Sequence, residues 1–170
     1  MATLLLDLLT QEEEVRDQHD RALRFDTALL SERFVTVIDE LSKSPSCPQV
    51  PIGVFGASTG AAAAIAAAAE RPNLVHAVVS RGGRPDLVQH LLGRVRCPTL
   101  FIVGELDYAV RELNTASFAQ LYCIKSLEIV PGATHLFEEP GALLSVARLA
   151  AHWFETHLVS QASPMMEPRL

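Results

Sequence analysis

The amino-acid sequence predicts a single α/β domain, a three-layer sandwich around a mostly parallel sheet of about five strands. Its 170 residues fit one domain better than two. Hydrophobic residues make up 49% of the chain and charged residues 20%, proportions that exclude a disordered protein. Short continuous apolar runs alternate with segments of helical periodicity. This alternation indicates parallel strands that helices cover on both faces.

The predicted strands are short apolar runs bounded by turn residues, as is typical of buried strands. Ala2–Leu9 is rich in leucine, and Leu74–Ser80 is rich in β-branched residues. The complete set of predicted strands is Ala2–Leu9, Val50–Phe55, Leu74–Ser80, Thr99–Val103 and Ile124–Val130.

Helices are predicted between these runs. Asp26–Leu41 places apolar residues close to the 3.6-residue period, with Asp26 as its N-cap. Ala61–Glu70 is almost entirely alanine, the strongest helix former. The remaining predicted helices are Asp86–Leu92, Ala109–Leu121 and Gly141–His157, whereas Thr10–Arg24 is expected to be a solvated connection. The domain is expected to span residues 1–159 and to be followed by a disordered tail over residues 160–170.

Composition and charge exclude several classes of partner. A net charge of −6 argues against a nucleic-acid or anionic-membrane surface, which needs an excess of Lys and Arg. No apolar run approaches the ~20 residues that span a bilayer, and the start of the chain lacks a basic segment typical of signal peptides. Cys47, Cys97 and Cys123 show no paired spacing, which indicates reduced thiols. We therefore expect a cytoplasmic protein with no nucleic-acid or membrane partner.

A GxSxG sequence lies where a predicted strand meets a predicted helix. Gly56-Ala57-Ser58-Thr59-Gly60 connects Val50–Phe55 to the alanine-rich segment. In this context the motif predicts a nucleophile elbow, in which a strained serine needs small residues two positions away on either side. The elbow would present the Ser58 hydroxyl and the Thr59 N–H at the positive end of the helix.

An acid and a histidine follow two later strands. Asp107 lies just past Thr99–Val103, and His135 lies just past Ile124–Val130. The carboxyl ends of parallel strands share one edge of the sheet, so Ser58, Asp107 and His135 are expected to meet there. Asp107 as a simple helix cap, and Glu105 as the acid in its place, stay open alternatives.

The remaining polar residues of the predicted edge suggest no further chemistry. Arg81 and Arg84 are expected to form surface salt bridges in preference to binding an anionic substrate. The other histidines lack the spacing of metal ligands, so no metal site is expected.

Five segments together resemble the dienelactone-hydrolase-like branch of the α/β-hydrolase superfamily, from about Ala2 to Leu158. They are ATLLLDLLT, GVFGASTGAAAAI around Ser58, VVSRGGRPDL, PTLFIVGELD around Asp107 and VPGATHLFEEPG around His135. The resemblance implies a shortened α/β-hydrolase that cleaves an ester, lactone or related acyl bond of a small molecule without any cofactor. It also implies that Ser58 is the nucleophile, His135 the general base and Asp107 the residue that orients the histidine. Named dienelactone hydrolases usually carry cysteine at the elbow, so serine leaves the substrate open.

The resemblance also implies that part of the family sheet is missing. Ala2–Leu9 resembles the family's fourth strand, and nothing corresponds to the third strand or to its oxyanion loop. The Thr59 N–H is then the one predicted oxyanion donor. Either Ala2–Leu9 pairs directly with Val50–Phe55 and Leu9–Gln11 takes the oxyanion-loop position, or the chain is a truncated or degenerate domain without catalysis. An exposed edge on Ala2–Leu9 would allow a homodimer.

Overall fold

A parallel four-stranded sheet forms the centre of the computed structural model, which describes residues 2–45 and 50–158. The strands lie side by side in chain order, β1-β2-β3-β4. They are β1 (Ile52–Ala57), β2 (Val75–Arg81), β3 (Thr99–Gly104) and β4 (Lys125–Val130). All three neighbouring pairs are parallel. The predicted α/β fold class is therefore confirmed, with four of the five expected strands.

Helices cover both faces of this sheet. They are α1 (Gln11–Asp20), α2 (Thr27–Lys43), α3 (Thr59–Glu70), α4 (Tyr108–Phe118) and α5 (Ala142–His157), together with 3₁₀ segments at Leu23–Phe25 and Pro85–Arg94. The predicted N-cap of α2 is confirmed, because the Asp26 side chain accepts a 3.0 Å hydrogen bond from the Leu29 N–H.

Two separate apolar cores result from the alternation of side chains along the strands. Val78 and Phe101 belong to the core beneath α2, α3 and the second 3₁₀ segment. Val79 and Ile102, their neighbours in sequence, belong to the core beneath α5. Every residue of α3 from Ala61 to Ala69 is buried, because alanine lets the helix axis approach the sheet closely.

The prediction that Ala2–Leu9 forms a strand was wrong. The segment forms no strand ladder, its end at Leu8 and Leu9 bends, and Leu4 and Leu5 are 60% and 89% exposed. A β-strand needs a neighbouring strand to pair with its backbone N–H and C=O groups, and a leucine-rich sequence does not by itself provide that neighbour. In the described part of the chain β1 pairs with β2 alone, so the predicted pairing of Ala2–Leu9 with the elbow strand is also wrong. Within the described residues the sheet has two unpaired edges, the outer edges of β1 and β4, and neither belongs to Ala2–Leu9.

The connection predicted over Thr10–Arg24 contains a helix. Thr10 is the N-cap of α1 and forms a reciprocal capping box with Glu13. This pattern, Thr-x-x-Glu before a helix, was visible in the sequence and outweighs the dense charge that suggested a loop.

Two other expectations concern the cysteines and the chain end. Burial raises the pKa of the Cys97 thiol to about 12, which makes it unreactive at neutral pH. Cys123 is half-buried and also free. Cys47 and the tail over residues 160–170 lie outside the described residues.

Among the residues that are described, no helix is both long enough and apolar enough to cross a membrane.

Candidate active site

Ser58 adopts the strained conformation that a nucleophile elbow requires. Its φ of 50° and ψ of −123° are unfavourable for a residue with a side chain. The surrounding chain imposes them, because the Ser58 N–H donates to the Arg81 carbonyl at 3.2 Å and the Ser58 carbonyl accepts from the Arg84 N–H at 3.1 Å. A Cβ at Gly56 would lie 2.7 Å from the Ala61 nitrogen, so the turn also needs glycine there.

Thr59 is the first residue of α3. Its N–H therefore has no carbonyl one turn earlier within the helix and lies at the positive end of the helix dipole. An oxyanion donor has these properties.

Asp107 and His135 are in direct contact. Nδ1 of His135 lies 2.6 Å from Oδ2 of Asp107, and the two side chains are 39% and 12% exposed. Asp107 occupies the N-cap position of α4, yet its side chain caps no backbone N–H. The alternative in which Asp107 is only a helix cap is therefore wrong, since its carboxylate faces the imidazole instead.

The rival acid, Glu105, contacts the loop that carries His135 rather than the ring. Its Oε2 accepts a 2.7 Å hydrogen bond from the Gly132 N–H. The backbones of the two loops are also joined, because the Leu106 N–H, next to Glu105, donates to the Ala133 carbonyl, next to Gly132, at 2.9 Å. Hydrogen bonds therefore connect the loop after β3, which carries Asp107 (the acid loop), to the loop after β4, which carries His135 (the histidine loop).

Gly82 lies between the elbow and the imidazole of His135, at the carboxyl edge of the sheet. A Cβ at Gly82 would lie 3.5 Å from Nδ1 of His135, and the preceding carbonyl of Arg81 bonds the backbone of Ser58. The structure therefore places all three predicted residues at the carboxyl edge of the sheet. It joins Asp107 to His135 by a hydrogen bond, whereas the Ser58 hydroxyl makes no hydrogen bond within the described ranges.

The segment Leu6–Leu9 lies beside the amino end of α3. Together with Thr59 and Gly60 it lines a cleft of about 220 Å³. Leu8 reaches to 3.8 Å from the position of a Cβ on Gly60. The predicted oxyanion-loop segment, Leu9–Gln11, instead leads into α1.

Arg33 holds this segment in place, and its partner Glu13 makes the contact sensitive to acid. The Arg33 guanidinium donates to the Leu8 carbonyl at 2.7 Å and to both Glu13 oxygens at 2.6 and 2.7 Å. The hydrogen bond from Arg33 lowers the pKa of Glu13 from 4.5 to about 2. A lowered carboxyl pKa stabilises the contact above the unfolded value, and that stability is lost as the pH falls toward the folded value. We therefore expect amide exchange in α1, the helix that carries Glu13, to rise relative to α3 as the pH drops from about 4.5 toward 2. Exchange that changes equally in both segments would contradict this prediction.

Gly104 permits the close approach of the acid and histidine loops. A Cβ there would lie 2.6 Å from the Thr134 carbonyl oxygen, and closer still to that of Ala133. Both obstacles are backbone atoms, so Gly104→Ala is expected to destabilise the fold by about 1–3 kcal/mol in urea unfolding. Gly93→Ala is the matched control, because its Cβ would meet only the Tyr122 ring at 3.6 Å. Equal stability of the two variants would contradict the tight approach.

The two arginines predicted to form salt bridges behave differently. Arg84 forms a double contact with Asp86 at 2.9 and 2.8 Å, which confirms the prediction. Arg81 has no ion pair within the described residues, and its guanidinium lies 5.4 Å from the Phe137 ring centroid. Burial lowers the pKa of Arg81. The described residues also contain no cluster of His, Cys, Asp or Glu that could hold a metal ion.

The parallel sheet, the strained elbow serine and the joined Asp107 and His135 define the α/β-hydrolase class of fold. A model of the dienelactone hydrolase family matches residues 3–157. The chain therefore belongs to the dienelactone hydrolase family.

Solved structures agree with this assignment. A dienelactone hydrolase from Anabaena variabilis is 54% identical, with a TM-score of 0.86 over 89% of this chain and 70% of that protein. A monoacylglycerol lipase from Paleococcus ferrophilus shares the fold alone, at 18% identity and a TM-score of 0.64 over 77% of this chain and 76% of that one.

A longer relative carries a different name. A Mycobacterium tuberculosis protein with the provisional name phosphoribosyl transferase is 54% identical over 92% of this chain. The match covers 34% of that relative, so the chain spans about a third of its length. Its name therefore describes a protein of which most lies outside the matched region.

Proposed function

We propose that this protein is a serine hydrolase that cleaves an ester, lactone or related acyl bond of a small molecule. The observation that carries the proposal is the 2.6 Å contact between His135 and Asp107 on the rim that also holds the strained Ser58. A histidine fixed by a carboxylate through Nδ1 leaves Nε2 free to serve as a base. Membership of a hydrolase family supports this assignment.

The proposed reaction proceeds through a covalent acyl-enzyme. The Ser58 oxygen attacks the acyl carbon while Nε2 of His135 takes its proton, and Asp107 stabilises the resulting imidazolium. The Thr59 N–H donates to the oxyanion, and the leaving alcohol departs with the proton from His135. Water then attacks the acyl carbon while His135 takes one of its protons, the bond from that carbon to the Ser58 oxygen breaks, and His135 returns the proton to Ser58 as the acid leaves. These steps need no metal or organic cofactor. Hydrogen bonds between nucleophile and base often tighten only when substrate binds.

Two observations favour a second candidate, a hydrolase-like domain without catalysis. No strand pairs with the outer edge of β1 in the described chain, and Thr59 is the one assigned oxyanion donor. Loss of a single donor lowers kcat by about 10²–10³-fold in enzymes that use two. The candidates differ in whether Ser58 is activated at all.

The compartment of the protein is part of the same proposal. We propose a cytoplasmic location, which the free thiols of Cys97 and Cys123 support.

A fluorophosphonate probe separates the two candidates, because it phosphonylates only an activated serine. We expect the intact protein to gain one adduct that peptide mapping assigns to Ser58. The adduct should disappear in Ser58→Ala, form more slowly in His135→Ala and persist in Ser145→Ala, which changes an exposed serine on α5. Folded protein that gains no adduct would support the non-catalytic candidate.

A further inference from the structure

The loop that carries His135 is closed by the side chain of Glu139. Oε1 of Glu139 accepts a 3.1 Å hydrogen bond from the Thr134 N–H and a 2.6 Å hydrogen bond from the Thr134 hydroxyl. Glu139 lies just before α5, where a carboxylate could have capped the helix, but α5 has no side-chain cap. The side chain instead turns back to the residue that precedes His135.

The second oxygen of Glu139 makes this contact costly. Oε2 is buried and has no hydrogen-bond partner among the described residues. A buried oxygen without a donor is costly, so the favourable hydrogen bonds of this side chain are those that its other oxygen makes with Thr134. The hydrogen bonds from Thr134 also lower the pKa of Glu139, so this side chain is a carboxylate at neutral pH.

A second carboxylate holds the same loop. Glu105 binds the Gly132 N–H, so two anchors, at residues 132 and 134, fix the chain that leads into His135. Phe137 adds a third restraint, because it is fully buried and adopts a left-handed φ of 58°. A displacement of about 1 Å in a catalytic group can cost 10²-fold in rate.

We propose that Glu139 is a positioning residue that keeps the His135 ring against Asp107. The carboxylate acts through Thr134 and does not touch the reacting atoms. The effect on catalysis rests on the proposed hydrolase function, whereas the effect on the ring itself does not.

The ¹⁵N resonances of the His135 ring test the positioning role without substrate. In the wild type, Asp107 should hold one neutral tautomer, with the proton on Nδ1. Glu139→Ala should give a mixture of tautomers, whereas Glu139→Gln should retain the single form, because an amide oxygen can also accept both hydrogen bonds from Thr134. Glu138→Ala is the matched control, since Glu138 is exposed and adjacent in sequence. Thr134→Val, which removes only the hydroxyl donor, supplies an intermediate case if Glu139→Ala fails to fold.

Kinetics measure the catalytic consequence. For an ester substrate, Glu139→Ala should lower kcat by about 10- to 100-fold with little change in KM, and Glu139→Gln should restore most of it. A single tautomer in Glu139→Ala and Thr134→Val, or an equal change in Glu138→Ala, would overturn the positioning role. If the wild type neither hydrolyses esters nor reacts with fluorophosphonate, the proposed function fails, and the ring resonances still decide the role of Glu139.

Discussion

Replacing Ser58 by alanine is expected to lower kcat for ester hydrolysis by about 10⁵–10⁶-fold, because no other group can form the acyl-enzyme. The fold should survive, because the elbow is held by backbone hydrogen bonds between Ser58 and residues Arg81 and Arg84. The Ser58 hydroxyl itself makes no hydrogen bond in the described structure. Alanine keeps the Cβ of serine, so the strain at a φ of 50° should stay the same. Hydrolysis of a 4-nitrophenyl ester and thermal unfolding measure the two effects.

Ser145→Ala is the control for this variant. Ser145 lies on the exposed face of α5, where its hydroxyl donates to the Gly141 carbonyl at 3.1 Å. The kcat of Ser145→Ala for ester hydrolysis should match that of the wild type. Activity of Ser58→Ala within tenfold of the wild type would mean that another group performs the hydrolysis.

Replacing Asp107 by asparagine is expected to lower kcat by about 10⁴-fold with little change in KM. Asparagine keeps the shape of the side chain, but its amide can favour the wrong imidazole tautomer and cannot stabilise the imidazolium. The change therefore acts on the transition state and not on substrate binding. Steady-state kinetics over a range of ester concentrations separate the two parameters.

Two further variants show whether Asp107 or Glu105 orients the histidine. Glu105→Gln should lose much less activity, because its amide oxygen can still accept the 2.7 Å hydrogen bond from the Gly132 N–H. Glu112→Gln on the exposed face of α4 controls for the loss of a charge. A 10⁴-fold loss in Glu105→Gln with an active Asp107→Asn would reverse the assignment.

The predicted catalytic positions follow from local chemistry in the sequence. Ser58 stands in a glycine pattern between a strand and an alanine helix, and the structure confirms the sharp turn there. Asp107 and His135 follow strands of one parallel sheet, so their common edge was predictable once those strands were identified.

The errors lie where structure depends on distant partners. A leucine-rich run resembles a strand, but Ala2–Leu9 finds no ladder beside β1 in the described structure. The contact of Glu105 with Gly132 likewise joins two different loops, and no sequence spacing signals it. Glu139 turns back within a single loop, but its contact with Thr134 has no recognised sequence pattern either. The Thr10–Glu13 capping box shows the opposite case, since that local signal was present in the sequence but outweighed by charge.

A crystal structure of the protein after reaction with a fluorophosphonate tests the proposed mechanism most directly. We expect phosphorus bonded to Oγ of Ser58, with the Thr59 N–H donating to the phosphoryl oxygen. We also expect Nε2 of His135 at a hydrogen-bond distance of about 2.6–3.2 Å from an oxygen of the adduct, with Nδ1 still on Asp107. An unmodified Ser58 with the imidazole too far from the hydroxyl for even one bridging water would contradict it.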